Sequence, residues 1–235
     1  MNNKNVTKLN EKQRVTPTSK VEKAVHHLIT GIHAGHYAPG QRLVESDLTQ
    51  EIGISRGPLR EALKILAAKD MLDLAPNRGA RIKRLQREDL HQRFQLLETL
   101  GTLAIEGLPD QDKKTLQQNT PYPLQTEKSN VSLTSDHSPT ILALVVNYYC
   151  HLAYLGQNSL LADYIFKLNL TYFAPHIMRT LDVNVDILEK QFSKVKDAIL
   201  QADTLTAQKA HQNWCRQVLE ATHLLPASTS KQGAF

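Results

Sequence analysis

A single glycine between two short helical patterns constrains this sequence more strongly than any other feature. Apolar residues recur at helical spacing over residues 45–52 and again over residues 55–69, and Gly53 stands between the two segments. Such a tight reversal needs a residue with positive φ, which glycine adopts without a steric cost. The second helix is expected to begin at Ser55, because serine is a preferred residue at a helix N-cap. The pattern predicts a helix-turn-helix.

The segments on either side complete a small domain around this pair of helices. A helix is expected before the pair, over residues 19–36, and a short strand at residues 43–44. Two further strands are expected at residues 72–74 and 80–85, joined by a turn at residues 76–79. Together these elements predict a winged helix-turn-helix, an architecture in which the second helix of the pair enters the major groove of DNA.

Charge is distributed unevenly along the chain. Residues 1–84 carry 15 Lys and Arg against 8 Asp and Glu, a net charge of +7, whereas residues 85–235 carry a net charge of −2. A basic segment joined to a mildly acidic remainder indicates a nucleic-acid-binding module next to a second domain. Charge alone does not separate this interpretation from random clustering in a slightly basic protein.

The remainder of the chain is predicted to be helical, so that the fold class is mainly α. A winged helix-turn-helix at residues 19–85 is followed by an all-α antiparallel helical bundle at residues 86–225, with a flexible arm at residues 1–18 and a tail at residues 226–235. Within the bundle, prolines and polar residues predict a long polar loop at residues 108–139. Helical periodicity indicates the bundle helices at residues 88–107, 140–155, 158–180, 184–202 and 204–224.

The cellular compartment can be inferred from the lack of a membrane-spanning segment, the lack of a secretory signal and the surroundings of the two cysteines. No segment has the ~18–20 consecutive apolar residues that span a bilayer, and the first residues lack the apolar core of a secretory signal. We therefore expect a cytoplasmic protein without a membrane partner. Cys150 and Cys215 lie in apolar surroundings without the spacing of a metal site, and both are expected to be buried free thiols.

The expected DNA contacts lie on the second helix of the pair and on the wing. Arg56 and Arg60 are four residues apart and share a helix face, although a solvated amphipathic helix could place arginines in the same way. Ser55 and nearby backbone N–H groups can bind phosphate at the positive end of the helix. Gly79 permits close contact at the wing, and Lys83 attracts phosphate. The predicted DNA contacts are Ser46, Ser55, Arg56, Gly57, Arg60, Asn77, Arg78, Gly79 and Lys83.

Three motifs follow one another in this N-terminal region. They are Pro39-Gly40-x-x-Leu43-x-Glu45-x-x-Leu48, then Gly53-x-Ser55-Arg56-x-Pro58-x-Arg60-Glu61-Ala62-Leu63, then Pro76-Asn77-Arg78-Gly79-Ala80. With them, residues 21–85 resemble the GntR family of bacterial transcription regulators. The resemblance implies a homodimer that reads a palindromic operator in double-stranded DNA. Ser46 stands where several members of the family have a DNA-contacting arginine, and Gly57 replaces a common threonine.

The helical remainder resembles the FCD branch of this family, which is named for the fatty-acid regulator FadR. The similarity rests on Leu97-Glu98, on the break Gly156-Gln157-Asn158 and on the segment at residues 198–203. It implies a bundle that mediates dimerisation and holds a small effector, often a carboxylate. The N-terminal domains are expected to reorient on a linker near residues 85–90.

Many FCD domains bind a divalent metal ion through one aspartate and three histidines. The first two corresponding positions here are Val145 and Tyr149, or Leu144 and Tyr148 in the other register. The remaining two fall near Phe192 and Trp214, and none of these residues is a metal ligand. The resemblance therefore implies a bundle without a metal ion or other cofactor. It also implies a pocket for an apolar or aromatic metabolite, lined by Tyr149, Phe192, His211 and Trp214.

Two alternatives to this pocket stay open at the level of the sequence. The aromatic side chains can fill a collapsed core and leave no ligand site. Alternatively, His151, His176 and His211 can form a rearranged metal site. Neither alternative changes the prediction for the N-terminal domain.

These features favour a DNA-binding transcription regulator over two other classes of protein. The roughly 150 residues after the winged domain are too few for the pyridoxal-phosphate aminotransferase-like domain of some GntR relatives, and no glycine-rich phosphate loop or nucleophile motif is visible. We therefore predict no enzymatic activity. A winged-helix protein-interaction module without operator binding stays open as the alternative. No motif identifies the operator or the effector, or distinguishes a repressor from an activator.

Overall fold

The computed structural model describes residues 19–75, 79–110, 116, 140–181 and 183–224. The predicted flexible arm at residues 1–18 and the tail at residues 226–235 lie outside these ranges, as does most of the predicted loop at residues 108–139. Helices predominate among the described residues, and none of these helices is long and apolar enough to cross a membrane.

The N-terminal domain is a winged helix-turn-helix, which confirms the prediction from the sequence. Its elements in chain order are α1 (Lys20–Ala34), β1 (Arg42–Leu43), α2 (Glu45–Ile52), α3 (Arg56–Ala68), β2 (Leu72–Ala75) and β3 (Gly79–Ile82). The strands pair antiparallel in the order β1-β3-β2, with Arg42 opposite Arg81 and Leu72 opposite Ile82. Strand β2 also contacts α3, so the wing lies beside the second helix of the pair.

Local sequence explains where the first helices begin and end. Ser19 and Glu22 form a capping box at the start of α1, in which each side chain accepts a hydrogen bond from the backbone N–H of the other residue. Gly35 and Gly53 end α1 and α2 in the left-handed conformation, with φ of 80° and 71°. The glycine between the two helical patterns therefore has the conformation that the sequence predicts.

The predicted boundaries of these elements differ from the observed ones by one to three residues. Helix α1 ends at Ala34, rather than near residue 36, because the left-handed Gly35 caps it. Strand β3 ends at Ile82, rather than at residue 85, because Leu72 opposite it is the first residue of β2 and the ladder stops there.

The C-terminal domain is an all-helical bundle, again as predicted. Its elements are α4 (Arg87–Glu106), α5 (Ile141–Leu155), α6 (Ser159–Lys167), α7 (Leu170–Thr180), α8 (Val185–Leu200) and α9 (Thr204–Leu224). Helix α5 is apolar on most sides because it packs against α4, α6, α7 and α8. Helix α9 lies against α4 and α8, and its short connection to α8 makes these two helices run antiparallel.

The prediction of one continuous helix over residues 158–180 is wrong. The chain breaks at Leu168 and Asn169 into α6 and α7, and Asn169 adopts a left-handed φ of 56°. The Asn169 side chain donates a hydrogen bond of 2.6 Å to the backbone oxygen of Lys69, at the end of α3. The helical periodicity of the sequence does not reveal the break, because the contact that stabilises this conformation comes from a residue 100 positions away.

One hydrophobic core joins the two domains. Helix α1 packs against α3 and also against α7, and Leu28 and Ile29 on it are fully buried. His33 near the end of α1 is buried as well, and its Nδ1 lies 3.3 Å from the backbone oxygen of Thr171. These contacts join the two domains in the structure, and the reorientation of the N-terminal domain on the linker near residues 85–90 stays a prediction.

We expect Gly31→Ala to destabilise the protein. A Cβ atom at Gly31 would lie 2.3 Å from Cε2 of Tyr37, whose ring packs on α1 and is nearly buried. Relieving this overlap requires the ring and its loop to move, at a cost of about 1–3 kcal/mol in the free energy of unfolding. Urea-induced unfolding measures the change.

Gly57→Ala is the matched control for this substitution. Nothing lies within 4 Å of the position that its Cβ would occupy, and alanine is the better helix former. The control should unfold at the same or a higher urea concentration than the natural protein. An equal loss of stability in both variants would contradict the steric explanation.

Candidate nucleic-acid interface and bundle interior

Helix α3 presents one apolar face and one exposed polar face. Arg56, Gly57 and Arg60 on its first turns are all exposed. The remaining face anchors the helix against α1 and α2. The residues that provide this anchor are at most 3% exposed: Leu59, Ala62, Leu63 and Leu66. The two arginines therefore lie on the side of α3 that the core leaves free, as predicted.

Arg60 has a carboxylate partner that the sequence analysis missed. Its Nε donates to both carboxylate oxygens of Glu45, at 3.2 and 2.9 Å, while its side chain stays 63% exposed. The two terminal nitrogens of the guanidinium have no hydrogen-bond partner among the described residues. Glu45 begins α2, and a separation of 15 residues produces no periodic signal. Only the presence of Glu45 in the first of the three motifs could have indicated its role.

The N-terminal end of α3 is open to a ligand. Ser55 occupies the N-cap position with an extended backbone, as predicted, but its hydroxyl makes no capping hydrogen bond. The backbone N–H groups of the first turn therefore lack the acceptor that a capping serine usually supplies. Gly57 has open space beside it. Backbone donors at the positive end of a helix are suited to bind a phosphate.

A groove separates α3 from the wing. Its volume is about 420 Å³, and Arg60, Lys64 and Gly79 lie on its walls. Gly79 has a left-handed φ of 79° at the start of β3, which favours glycine at this position. Asn77 and Arg78, the other predicted contacts of the wing tip, lie outside the described residues.

Besides Arg60, two more of the predicted DNA contacts already have partners within the protein. The exposed Ser46 hydroxyl donates to the side chain of Asp47 at 3.0 Å. The ammonium group of Lys83 lies 2.9 Å from Asp70 and 3.8 Å from Asp73, and the hydrogen bond to Asp70 raises the pKa of Lys83. Lys83 therefore binds Asp70, close to the C-terminal end of α3. By the rise of the helix, this end lies roughly 20 Å from the first turn of α3, where the predicted contacts of this helix begin. Its contact with DNA stays a prediction.

The four predicted pocket residues meet in the interior of the bundle. Tyr149 on α5, Phe192 on α8, and His211 and Trp214 on α9 have ring centroids 4.6–6.4 Å apart in neighbouring pairs. Tyr149, His211 and Trp214 are completely buried, and Phe192 is 4% exposed. Val145 is also completely buried. The rings contact one another directly, so a ligand at this point would have to separate them.

His211 forms hydrogen bonds that suit a neutral imidazole. Its Nε2–H donates to the backbone oxygen of Glu98 at 2.9 Å, and its Nδ1 accepts from the Tyr149 hydroxyl at 2.6 Å. Burial lowers the pKa of His211 to about 4, although hydrogen bonds to backbone oxygens oppose the shift. A Cβ atom at Gly101 would lie 2.6 Å from Nε2 of His211, so glycine is required for α4 to approach α9 this closely.

The structure does not assemble the rearranged metal site that His151, His176 and His211 would form. Within the described ranges, no three His, Cys, Asp or Glu side chains are arranged to hold a metal ion. His151 and His176 are instead partly buried on α5 and α7, and burial lowers the pKa of each. Cys150 and Cys215 are buried and free, which confirms the prediction for the cysteines.

A cavity of about 680 Å³ opens on the N-terminal domain, at a place that the sequence analysis did not single out. Within it, Nε2 of His27 lies 3.0 Å from the Tyr37 hydroxyl and 2.9 Å from the Glu51 carboxylate. The adjacent His26 and His27 of α1 are the feature of the sequence that could have indicated this cavity. The residues that line it are Lys23, His26, His27, Thr30, Gly31, His36, Tyr37, Glu51 and Ile52.

Comparison with known proteins identifies the N-terminal segment. Residues 20–82 match the family described as "Bacterial regulatory proteins, gntR family". The chain is 30% identical over 95 residues to the HTH-type transcriptional regulator YdhC of Bacillus subtilis, and 30% identical over 110 residues to the HTH-type transcriptional regulator McbR of Escherichia coli. These segments cover 40% and 45% of this chain and 42% and 48% of the relatives. The chain thus spans about half the length of the curated relatives it matches.

Two solved structures share the fold over most of the chain. A protein described as a transcriptional regulator GntR from Rhodococcus sp. RHA1 superposes with a TM-score of 0.67 at 15% identity, over 88% of this chain and 98% of that one. McbR/YncC of E. coli superposes with a TM-score of 0.58 at 18% identity, over 87% and 97% of the two chains. At these identities the similarity concerns the fold, which includes the helical C-terminal domain.

The fold and the exposed face of α3 define a winged helix-turn-helix. More particularly, residues 20–82 are a gntR-family domain. The resemblance that the three motifs indicated is therefore confirmed for this segment. The assignment of the bundle to the FCD branch stays a prediction.

We expect replacement of His211 to flatten the dependence of stability on pH. The folded protein holds His211 neutral with a pKa of about 4, against an ordinary value of 6.5. Between these pH values the unfolded chain binds more protons, so the free energy of unfolding falls as the pH decreases, by up to about 3 kcal/mol. His211→Gln should have a lower free energy of unfolding at pH 7 than the natural protein. As the pH decreases from 7, this free energy should then fall much less than it does in the natural protein.

Thermal unfolding between pH 7 and pH 4 measures the effect. The exposed His36 provides the control, and His36→Gln should retain the pH dependence of the natural protein. The same slope in His211→Gln and in the natural protein would show that His211 is not the titrating group.

Proposed function

We propose that this chain is a sequence-specific, DNA-binding transcription regulator of the GntR type that binds a palindromic operator as a homodimer. The observation that carries the proposal is the exposed polar face at the start of α3, where Ser55, Arg56 and Arg60 lie on a helix anchored by its other face. The gntR-family match over residues 20–82 supports it, as do the regulators YdhC and McbR among the relatives. Such a regulator acts in the cytoplasm and needs no enzymatic activity.

In this proposal α3 enters the major groove with Arg56 and Arg60 directed at the base edges. An arginine can donate two parallel hydrogen bonds to O6 and N7 of guanine. Glu45 engages only Nε of Arg60, which keeps the terminal nitrogens for such a pair. Ser55 and the first N–H groups of α3 bind a backbone phosphate, and the open space at Gly57 admits the DNA. The remaining proposed contacts are Ser46, Asn77, Arg78, Gly79 and Lys83.

The alternative is a winged-helix protein-interaction module without operator binding. Its support is that two cations of the proposed interface are already paired, Arg60 with Glu45 and Lys83 with Asp70. Selection of binding sites from random-sequence duplex DNA separates the two functions. A regulator enriches one symmetric motif, whereas an interaction module enriches none.

We expect Arg60→Ala to weaken binding to the selected motif by about 1–3 kcal/mol, roughly 5- to 150-fold in Kd. Loss of a base contact should leave binding to unrelated duplex DNA nearly unchanged, because phosphate contacts supply that affinity. A gel-shift titration at fixed salt concentration measures both. Arg216→Ala, at an exposed arginine of α9, is the control and should bind as the natural protein does. Equal affinity of Arg60→Ala and the natural protein for the motif would refute the assignment of α3.

The homodimer is proposed to form through the helical bundle. Large apolar side chains are exposed there on two neighbouring helices, Leu96 and Leu103 on α4 and Leu160 and Tyr164 on α6. Exposed apolar groups on adjacent helices are typical of a protein–protein interface. We expect a dimer at micromolar concentration in sedimentation experiments, both without DNA and with the selected duplex. A monomer under both conditions would contradict the proposed symmetric operator.

We further propose that the bundle is an FCD-type effector domain that works without a metal ion or cofactor. Its ligand would be a carboxylate or an apolar or aromatic metabolite that enters among Tyr149, Phe192, His211 and Trp214. In the observed packing these rings fill the space themselves, so binding requires α5, α8 and α9 to separate. Such a separation would change the bundle on which the N-terminal domain rests.

A further inference from the structure

Besides the packing of α1 on α7, the two domains meet at the residues that end α3. Lys69 is the C-cap of α3, and its backbone oxygen accepts the hydrogen bond from Asn169 in the break between α6 and α7. Asp70 follows it and pairs with Arg93 of α4, which also donates to the backbone oxygen of Leu168. Each of these contacts crosses from one domain to the other, except that from Arg93 to Leu168. We call these five residues the junction cluster.

The backbone of the junction cluster is held in an uncommon conformation. Asp70 and Asn169 both have φ of 56°, a left-handed conformation that is uncommon for non-glycine residues and that Asp and Asn adopt more readily than the others. Such conformations persist where surrounding contacts determine them, and here each residue has a partner in the other domain. Asn169 is 4% exposed and the Arg93 side chain 14% exposed, so neither has solvent as a ready substitute for its partner.

The charges of the junction cluster join three parts of the molecule. Asp70 accepts from Lys83 at the end of the wing and from Arg93 in the bundle. Burial by itself would raise the pKa of Asp70, but the hydrogen bonds and charges of Lys83 and Arg93 outweigh it and hold the pKa below its ordinary value. The recognition helix α3, the wing and the bundle are therefore tied to one carboxylate.

We propose that the junction cluster fixes the orientation of α3 on the bundle and thereby sets which spacing of operator half-sites the dimer accepts. This inference rests on the proposed function. In a dimer joined through the bundles, the separation of the two α3 helices depends on how each bundle holds its own N-terminal domain. Dimers of helix-turn-helix domains bind half-sites at a defined spacing along the double helix. A domain held by the cluster accepts one spacing, and a domain held by the packing of α1 on α7 alone accepts several.

The junction cluster acts through α3 rather than through contact with DNA. Its residues lie at the C-terminal end of α3, whereas Arg56 and Arg60 lie in the first turns, up to roughly 20 Å away by the rise of the helix. Asn169 and Arg93 are therefore positioning residues. Removing their contacts should leave the affinity for one half-site unchanged while altering the preference for the distance between two.

The test uses the full-length protein and the operator selected from random-sequence DNA. Duplexes carry the two half-sites at the selected spacing, at spacings changed by one or two base pairs, or a single half-site alone. Gel-shift titrations are made for the natural protein, Arg93→Met and Asn169→Ala. Arg216→Met and Asn213→Ala at exposed positions of α9 are the matched controls. Sedimentation of each variant establishes that it remains a dimer.

We expect the natural protein and both controls to prefer the selected spacing by roughly tenfold or more, since a shifted spacing requires the DNA or the protein to deform. Arg93→Met and Asn169→Ala should bind all spacings within about threefold of one another, with the single half-site bound as in the natural protein. Retained half-site affinity also establishes that the N-terminal domain of the variant is folded.

Two results would overturn the proposal. In the first, the variants keep the spacing preference of the natural protein, so that other contacts orient α3. In the second, the natural protein binds all spacings equally, so that no orientation is imposed. Failure of the natural protein to select any DNA motif is a different result, because it refutes the proposed function itself.

Discussion

The packing of α1 against both α3 and α7 is the interaction on which the rest of the structure depends. Ala24 and Leu28 on α1 have no exposed surface, and α1 contacts both α3 and α7. The apolar face of α3 is buried in the contact with α1, so the arginines on its other face are exposed to solvent. Because α1 also contacts α7, the small N-terminal domain shares the larger apolar core of the bundle. A domain of about 65 residues buries little surface by itself, and this shared core gives it a stable base.

Much of the N-terminal domain could be predicted because its signals are local. Gly53 favours the left-handed conformation that ends α2, and Ser55 is a preferred N-cap residue that marks the start of α3. The elements that escaped prediction depend on distant partners. The break at Asn169 is explained by its hydrogen bond to Lys69, which only the folded structure reveals. The hydrogen bonds between Arg60 and Glu45 likewise join residues that are far apart in the sequence. Periodicity reports which face of a helix is apolar and says nothing about which polar groups of different elements will meet.

The bundle interior illustrates a second limit of sequence reasoning. Tyr149, Phe192 and Trp214 were assigned to one site, and the structure does bring them together, but as rings in mutual contact. Residue type cannot distinguish the lining of a pocket from the filling of a core, since aromatic groups serve both purposes equally well. The hydrogen bonds of His211 to Tyr149 and to the backbone of Glu98 satisfy both ring nitrogens within the protein. A neutral imidazole with both nitrogens occupied contributes to packing without demanding a ligand.

The carboxylate of Glu45 beside Arg60 has a consequence for discrimination between DNA sequences. In the proposed complex with DNA, Arg60 keeps its hydrogen bonds to Glu45 when it meets a wrong base, but its exposed guanidinium still loses water. A correct base adds hydrogen bonds to the two terminal nitrogens, which Glu45 leaves free, whereas a wrong base does not replace the water that these nitrogens lose. The negative charge of Glu45 also repels the phosphates of any DNA sequence, and the hydrogen bonds to a correct base offset this cost. In this arrangement one glutamate exchanges binding strength for selectivity, without touching a base.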